Sequence, residues 1–362
     1  MITLEVNYKE SSMELEFPCR DIFLQQVLEK LQAPKTLPPK LYVAKVLNPG
    51  GLSRLGGQVL NLDEINYLAK RMENLSADEY AKLYALSEYK GYTAPKDVIN
   101  ATFNLDNYTQ QRAERELLSV GKKQHRALKG VITEYGQLYQ NPETEFREVY
   151  DGQVFPRYRY KKNYFLEVEI GYGGKKEYVY LPDEPLSITK ALSRLGAPTP
   201  KVCSYALTDF EGTDQAWKNK FERLLERESI FDINRLSENL SSGVESLEKL
   251  SAVLEYAGVE SMSDILKLSG RLEAFEFIPK IGNIEELGRY IVETYYDNEE
   301  LKELKDFLDY PGLGRRHVID HHGRFLRTGF VSQEKGTTLE ELLEGAETEH
   351  AESVCSPADM VQ

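Results

Sequence analysis

Leu166-Glu167-Val168-Glu169-Ile170 and Tyr178-Val179-Tyr180-Leu181-Pro182, joined through Gly173-Gly174, decide the fold of this chain. Apolar and polar residues alternate on both sides of a two-glycine turn, the pattern of an antiparallel hairpin with one buried face. The same pattern opens the chain. Leu4-Glu5-Val6-Asn7-Tyr8 is followed by a polar turn and then by Met13-Glu14-Leu15-Glu16-Phe17-Pro18. Each hairpin leads into an amphipathic helix, and the two helices end alike, at Leu31-Gln32-Ala33-Pro34 and Leu195-Gly196-Ala197-Pro198. A proline excludes helical backbone at the residue before it, so both helices stop there.

The correspondence continues in the same order. Ile65-Asn66-Tyr67-Leu68 matches Ile233-Asn234-Arg235-Leu236, Lys82 to Gly91 matches Lys249 to Gly258, and Asp97-Val98-Ile99 matches Asp264-Ile265-Leu266. Such ordered self-similarity is the mark of a duplicated unit. The expected fold class is α+β: two tandem copies of a small β-hairpin/sheet plus a helical bundle. The first copy covers 1–139 and ends in a degenerate closing hairpin. An aromatic, turn-rich connector follows at 140–162, then the second copy at 163–332 and an acidic tail, read as disordered apart from a short helix through Leu339–Leu343, at 333–362. Within the copies, Ser76 and Glu79 form a capping box and Gly91 is the residue that ends that helix. Asp97, Asp232, Ser242 and Ser263 or Asp264 are expected helix starts. Asn283 and Glu286 cap a further helix that reaches about Tyr296.

Composition narrows the function. The chain has 362 residues, 41% of them hydrophobic, a mean hydropathy of -0.49, and no apolar run of the roughly 18 residues that a membrane helix needs. Its N-terminal residues read as a strand and not as a signal peptide, so a cytoplasmic location and no membrane contact are expected. Cys19, Cys203 and Cys355 are widely spaced, which is neither a disulfide framework nor a zinc pattern. No phosphate loop, dinucleotide fingerprint or nucleophile elbow occurs. His317 and His321 share a helix face beside Asp320, yet two imidazoles fall short of the three protein ligands that zinc requires. A metal-dependent enzyme on these histidines is therefore the weakest reading. No catalytic residue, cofactor or metal is expected, and the chain is read as a binding protein.

The net charge is -14, too acidic for direct nucleic-acid binding, and it is unevenly placed. Between Asn283 and Tyr310 there are nine acids (Glu285, Glu286, Glu293, Asp297, Glu299, Glu300, Glu303, Asp306 and Asp309) against three bases (Arg289, Lys302 and Lys305), a balance of -6. From Glu334 onward, eight acids against one base give -7. On a helix, acids three or four residues apart repel by a few tenths of a kcal/mol per pair. In exchange they form a carboxylate row that can occupy a basic groove built for DNA and gain the counterion release meant for phosphates. An ordinary solvated helix face, with Lys302/Asp306 and Lys305/Asp309 as ion pairs, is the competing reading.

Glu286-Leu287-Gly288-Arg289-Tyr290-Ile291-Val292-Glu293, Phe307-Leu308-Asp309-Tyr310, Leu313-Gly314-Arg315 and the stretch from Gly323 to Val331 together resemble the closing domain of ArdA antirestriction proteins. Asn61 to Met72, Val149 to Pro156 and the hairpin ending Tyr180-Leu181-Pro182 are similar to the longer, tandem ArdA-like proteins of Gram-positive mobile elements. The resemblance implies an elongated, acidic, typically dimeric DNA mimic. Such a mimic binds the methyltransferase/specificity complex of type I restriction-modification enzymes and protects conjugative or phage DNA. The family's antirestriction motif falls on Glu286 to Asp309. Two departures stand out: this chain is less acidic per residue than single-unit members, and its stretch 112–129 is basic, with six bases against two acids. The duplication also raises a pseudo-dimer as the counterpart of a homodimer. The alternative function is a mobile-element adaptor that binds another host-defence or transfer protein.

Overall fold

A computed structural model of the chain describes residues 1–111, 130–141, 143–161, 163–241, 244–295, 307–334 and 338–344. Two compact units result: Met1–Asn163 with Val168–Ala206, and Tyr164–Glu167 with Leu207–Cys355. The fold is α+β, with antiparallel strand pairs. No described helix is long and apolar enough to cross a membrane.

In the first unit, β1 (Ile2–Tyr8) and β2 (Ser11–Phe17) form the N-terminal hairpin, with Ile2 opposite Phe17 and Val6 opposite Met13. After α1 (Asp21–Lys30), β3 (Lys40–Asn48) pairs with the free edge of β1, and β4 (Gln58–Asn61) extends the sheet to the order β2-β1-β3-β4. Period-two alternation puts Ile2, Leu4, Val6, Leu15, Phe17, Leu41 and Val43 into one core. That core is closed by α2 (Leu62–Met72), α3 (Ala77–Lys90) and α4 (Pro95–Thr102). Ser76 and Glu79 form the expected capping box, and Gly91 ends α3 in the left-handed region at φ 68°. Asp97, in contrast, does not cap α4. It lies in the first turn, because Pro95 opens the helix at a position where a missing N–H costs nothing. A three-stranded sheet of β5 (Tyr108–Gln111), β6 (Val131–Thr133) and β7 (Gly136–Gln140) follows, in the order β5-β7-β6.

The connector has no regular secondary structure, yet it is built into the core of this unit. Asn100 accepts from the amides of Val149 and Tyr150 at 2.7 and 2.8 Å and donates to the Tyr150 carbonyl at 2.8 Å. Tyr67 stacks on Phe155 at 4.5 Å and donates to the Pro156 carbonyl.

The second hairpin, β8 (Leu166–Tyr172) with β9 (Lys175–Leu181), belongs to a sheet of order β10-β8-β9, where β10 is Ser204–Phe210. Its following helix, α5 (Pro185–Leu195), packs within the first unit. There Lys190 is buried and bridges Asp21 and Asp63, at 2.6 Å to each, and Ser187 donates to Asp21 at 2.6 Å. Arg194 forks onto Glu177 and reaches Asp63 at 3.6 Å. Burial disfavours the charge on Lys190, but the two carboxylates outweigh it and raise the pKa of the amine. Compact unit and sequence repeat are thus different divisions of this chain.

The second unit carries α6 (Gln215–Arg227), α7 (Ile230–Leu240), α8 (Val244–Ala257) and α9 (Met262–Ser269). The caps of α7 and α9 are Ser229 and Ser261, which places Asp232, Ser263 and Asp264 inside the first turns and not at the starts; Ser242 lies outside the described residues. The closing part comprises β11 (Phe275–Pro279), α10 (Ile284–Tyr295), α11 (Tyr310–Asp320), β12 (Arg324–Phe325) and β13 (Gly329–Gln333). Its sheet runs β11-β13-β12. In both repeats, then, the closing sheet takes its first, third and second strands in that order, and the opening sheet places its first strand between the second and third. The described part of the tail holds α12 (Leu339–Glu344), whose Leu342 is buried and whose Leu343 carbonyl accepts from Lys267 at 2.6 Å.

Lys190→Met leaves Asp21 buried without its bridging cation and Asp63 with only the more distant Arg194, at a cost of about 3–5 kcal/mol. Urea unfolding of the full chain is expected to show this loss, and the further changes Asp21→Asn and Asp63→Asn are expected to restore most of it.

Candidate partner-binding surface

The expected site lies in the closing part of the second unit. Helix α10 forms because Leu287, Ile291 and Val292 recur at helical spacing and are buried, while Asn283 accepts from the Glu286 amide at 3.0 Å and Glu286 accepts from the Gly282 amide at 2.8 Å. Helix α11 starts at Asp309, which accepts from the Gly312 amide at 3.0 Å, and has Pro311 in its first turn. The two helices meet backbone to backbone. A Cβ on Gly288 would stand 2.0 Å from the Tyr310 carbonyl oxygen, and one on Gly314 would stand 2.1 Å from that of Ile284. Only glycine permits this approach, so two residues quoted from the sequence as motif prove to be packing requirements.

Of the nine acids of the expected surface, Glu285, Glu286, Glu293 and Asp309 are described, and all four are exposed. Asp297, Glu299, Glu300, Glu303 and Asp306 lie outside the described residues. The four differ in their engagements. Glu285 pairs with Arg289 one turn on, at 2.9 Å with both side chains more than half exposed, an arrangement that contributes only a few tenths of a kcal/mol. Glu286 and Asp309 cap their helices, so each has a structural as well as an electrostatic use. Glu293 makes no ion pair among the described residues; the raised pKa of Arg289 comes first from its hydrogen bond to Glu285, with Glu293 a lesser contributor. The described residues between 275 and 334 hold seven acids against six bases (Lys280, Arg289, Arg315, Arg316, Arg324 and Arg327), nearly neutral overall. Within 275–334 the excess of acids therefore falls on the exposed face of α10 and on the stretch that follows it in sequence.

Glu276, on β11, was not singled out in the sequence. It accepts from His317 at 3.1 Å and Ser332 at 3.1 Å on one oxygen, and from Tyr295 at 3.1 Å on the other. His317 and His321 do share a helix face, with stacked rings 4.3 Å apart, and His317 turns its Nε2 to Glu276. A lone acid on a strand carries no pattern from which these partners could have been read.

Residues 175–332 match the family model of the antirestriction protein ArdA. The stretch 175–332, a little under half of the chain, is thus ArdA-like. No curated protein matches the chain. The ArdA match begins in β9, takes in α5 within the first compact unit and ends at Ser332 in β13. It covers all four described acids and Glu276. The first repeat lies outside it and is tied to the second by the internal sequence correspondence and the shared sheet orders.

A polar cavity of about 80 Å³ lies elsewhere, in the first unit, beside Lys70, Asp183 and Lys190. It has room for a few waters, far short of the roughly 300–1,000 Å³ typical of ligand sites.

The hydrogen bond from His317, more than offsetting burial, holds the Glu276 carboxyl below its ordinary value of 4.5. Its contribution to stability is complete above that value and is lost as pH falls through the lower folded one. Thermal melts between pH 7 and pH 3 are expected to show this loss in the ArdA domain, with a shallower slope for Glu276→Gln. Gly314→Ala, which removes no charge, is expected to cost at least about 1–3 kcal/mol through overpacking of α10 on α11.

Proposed function

We propose that the chain is a non-enzymatic antirestriction protein that presents an acidic, DNA-like surface to a type I restriction-modification enzyme. Binding at the methyltransferase/specificity complex then blocks access of DNA and protects an incoming mobile element. The observation that carries this reading is the exposed face of α10 inside the ArdA domain. Glu285, Glu286 and Glu293 lie on it, and five of the next eleven residues in sequence are acids.

Carboxylates borne on a helix can displace phosphates from a basic groove because they bring the same charge without the need to bend or order a duplex. The gain is the release of counterions, so binding weakens steeply with salt. The ion pair of Glu285 with Arg289 reduces the charge on offer, which places most of the attraction on Glu293 and the acids beyond it. Action by occupancy also fits the pieces: nothing in it requires a nucleophile, a metal or a cofactor.

The test is competition between the purified chain and DNA for a type I methyltransferase complex at several salt concentrations. Changing Glu293, Glu299, Glu300, Glu303 and Asp306 to Gln or Asn is expected to weaken inhibition at least about tenfold and to flatten the log–log salt slope by roughly 0.9 per engaged charge. Transformation of unmodified DNA into restricting cells is expected to lose protection in parallel. Full activity of that variant, with salt-insensitive binding, would overturn the mimic and favour the adaptor.

A further inference from the structure

We infer that Glu276 is a positioning residue that holds α10, and with it the exposed acids Glu285, Glu286 and Glu293, at a fixed place on the closing sheet. The inference rests on the proposed function for its consequence, though not for its geometry.

Tyr295 is the last described residue of α10 and lies two residues beyond Glu293; the acidic stretch 297–306 follows in sequence. The Tyr295 ring is 60% exposed, so burial does little to hold it. What fixes it is the hydroxyl, which donates to Glu276 Oε1 at 3.1 Å. The other oxygen of the same carboxylate takes His317 from the last turn of α11 and Ser332 from β13, each at 3.1 Å. One side chain on β11 therefore gathers the two helices that flank the acidic stretch in sequence, together with the central strand of the sheet. The His317 ring is in turn braced by His321 at 4.3 Å and by Phe330 at 5.8 Å. Phe330 is fully buried, so the far end of this linkage is anchored in the core.

A partner that accepts carboxylates in place of phosphates is sensitive to where the row begins. An offset of α10 displaces Glu285, Glu286 and Glu293 together relative to the groove. Glu276 is partly buried beneath this surface, with 23% of its side chain exposed, and its own charge is turned inward on three donors. Its effect on inhibition should therefore depend on its hydrogen-bonding geometry and not on its negative charge.

That distinction gives the experiment. Glu276→Gln keeps an acceptor for Tyr295 and an amide for His317 Nε2 and Ser332 Oγ, while Glu276→Ala and Tyr295→Phe remove the link. All three are measured in the full chain for inhibition of DNA binding by a type I methyltransferase complex, and by hydrogen exchange. Leu236→Ala, a fully buried position on α7 outside this linkage, serves as a control that lowers the melting temperature from the core. Tyr295→Phe is expected to speed exchange in the last turn of α10 about tenfold, leaving α11 unchanged, and to raise the half-inhibitory concentration about fivefold. Glu276→Ala is expected to do at least as much in both helices, Glu276→Gln to stay near wild type, and Leu236→Ala to lower the melting temperature without changing inhibition at 25 °C. Exchange in α10 unchanged by Tyr295→Phe would overturn the inference, as would a loss of inhibition in Glu276→Gln equal to that in Glu276→Ala. Should the wild-type chain not inhibit, the proposed function falls, and the exchange measurements still decide whether Glu276 positions the helix.

Discussion

The contact between Gly288 and the backbone of Tyr310, mirrored by Gly314 against Ile284, is the constraint on which the closing part depends. Helices normally keep 8–10 Å between axes because side chains intervene. Here hydrogen atoms replace side chains at both crossing points, and the helices lean on one another's carbonyls. Because the approach is so close, Leu287, Ile291 and Val292 can turn to the core while Glu285, Glu286, Arg289 and Glu293 remain on the open side. The charged face of α10 follows from which of its faces is used for packing.

A second constraint governs the first unit. Lys190 lies 169 and 127 residues from the carboxylates it bridges. A buried ion triad is a poor source of net stability, yet it tolerates few alternative partners. It ties the helix after the second hairpin to the N-terminal sheet and bundle, so the ArdA domain draws residues from both compact units.

Much of this was legible in the sequence, and the reasons are local. Period-two alternation disclosed both N-terminal hairpins of the repeats, and Ser76 with Glu79 and Asn283 with Glu286 disclosed two helix starts. Helix α6 escaped notice because its charged residues dilute the apolar stripe of Trp217, Phe221 and Leu225. Strands β3, β4 and β10 were passed over, since each pairs with a partner distant in sequence or lies between stronger signals. Asp97 misled because Pro95 sets the helix start by its backbone and not by its side chain. Of the expected site, four of nine acids can be placed. The roles of Glu276, Gly288 and Gly314 were beyond reach, because each is defined by what another segment brings against it.

The connector between the repeats bears on how the molecule can be cut. Tyr150 and Phe155 are buried in the first unit, and Asn100 holds the strand of chain between them and the bundle by three hydrogen bonds. A cloning boundary drawn through this region, as the tandem repeat would suggest, strips aromatic residues from one fragment and hands them, solvent-exposed, to the other. Fragments intended for crystallisation or binding work are better designed by keeping residues 1–206 together than by dividing the gene at its midpoint.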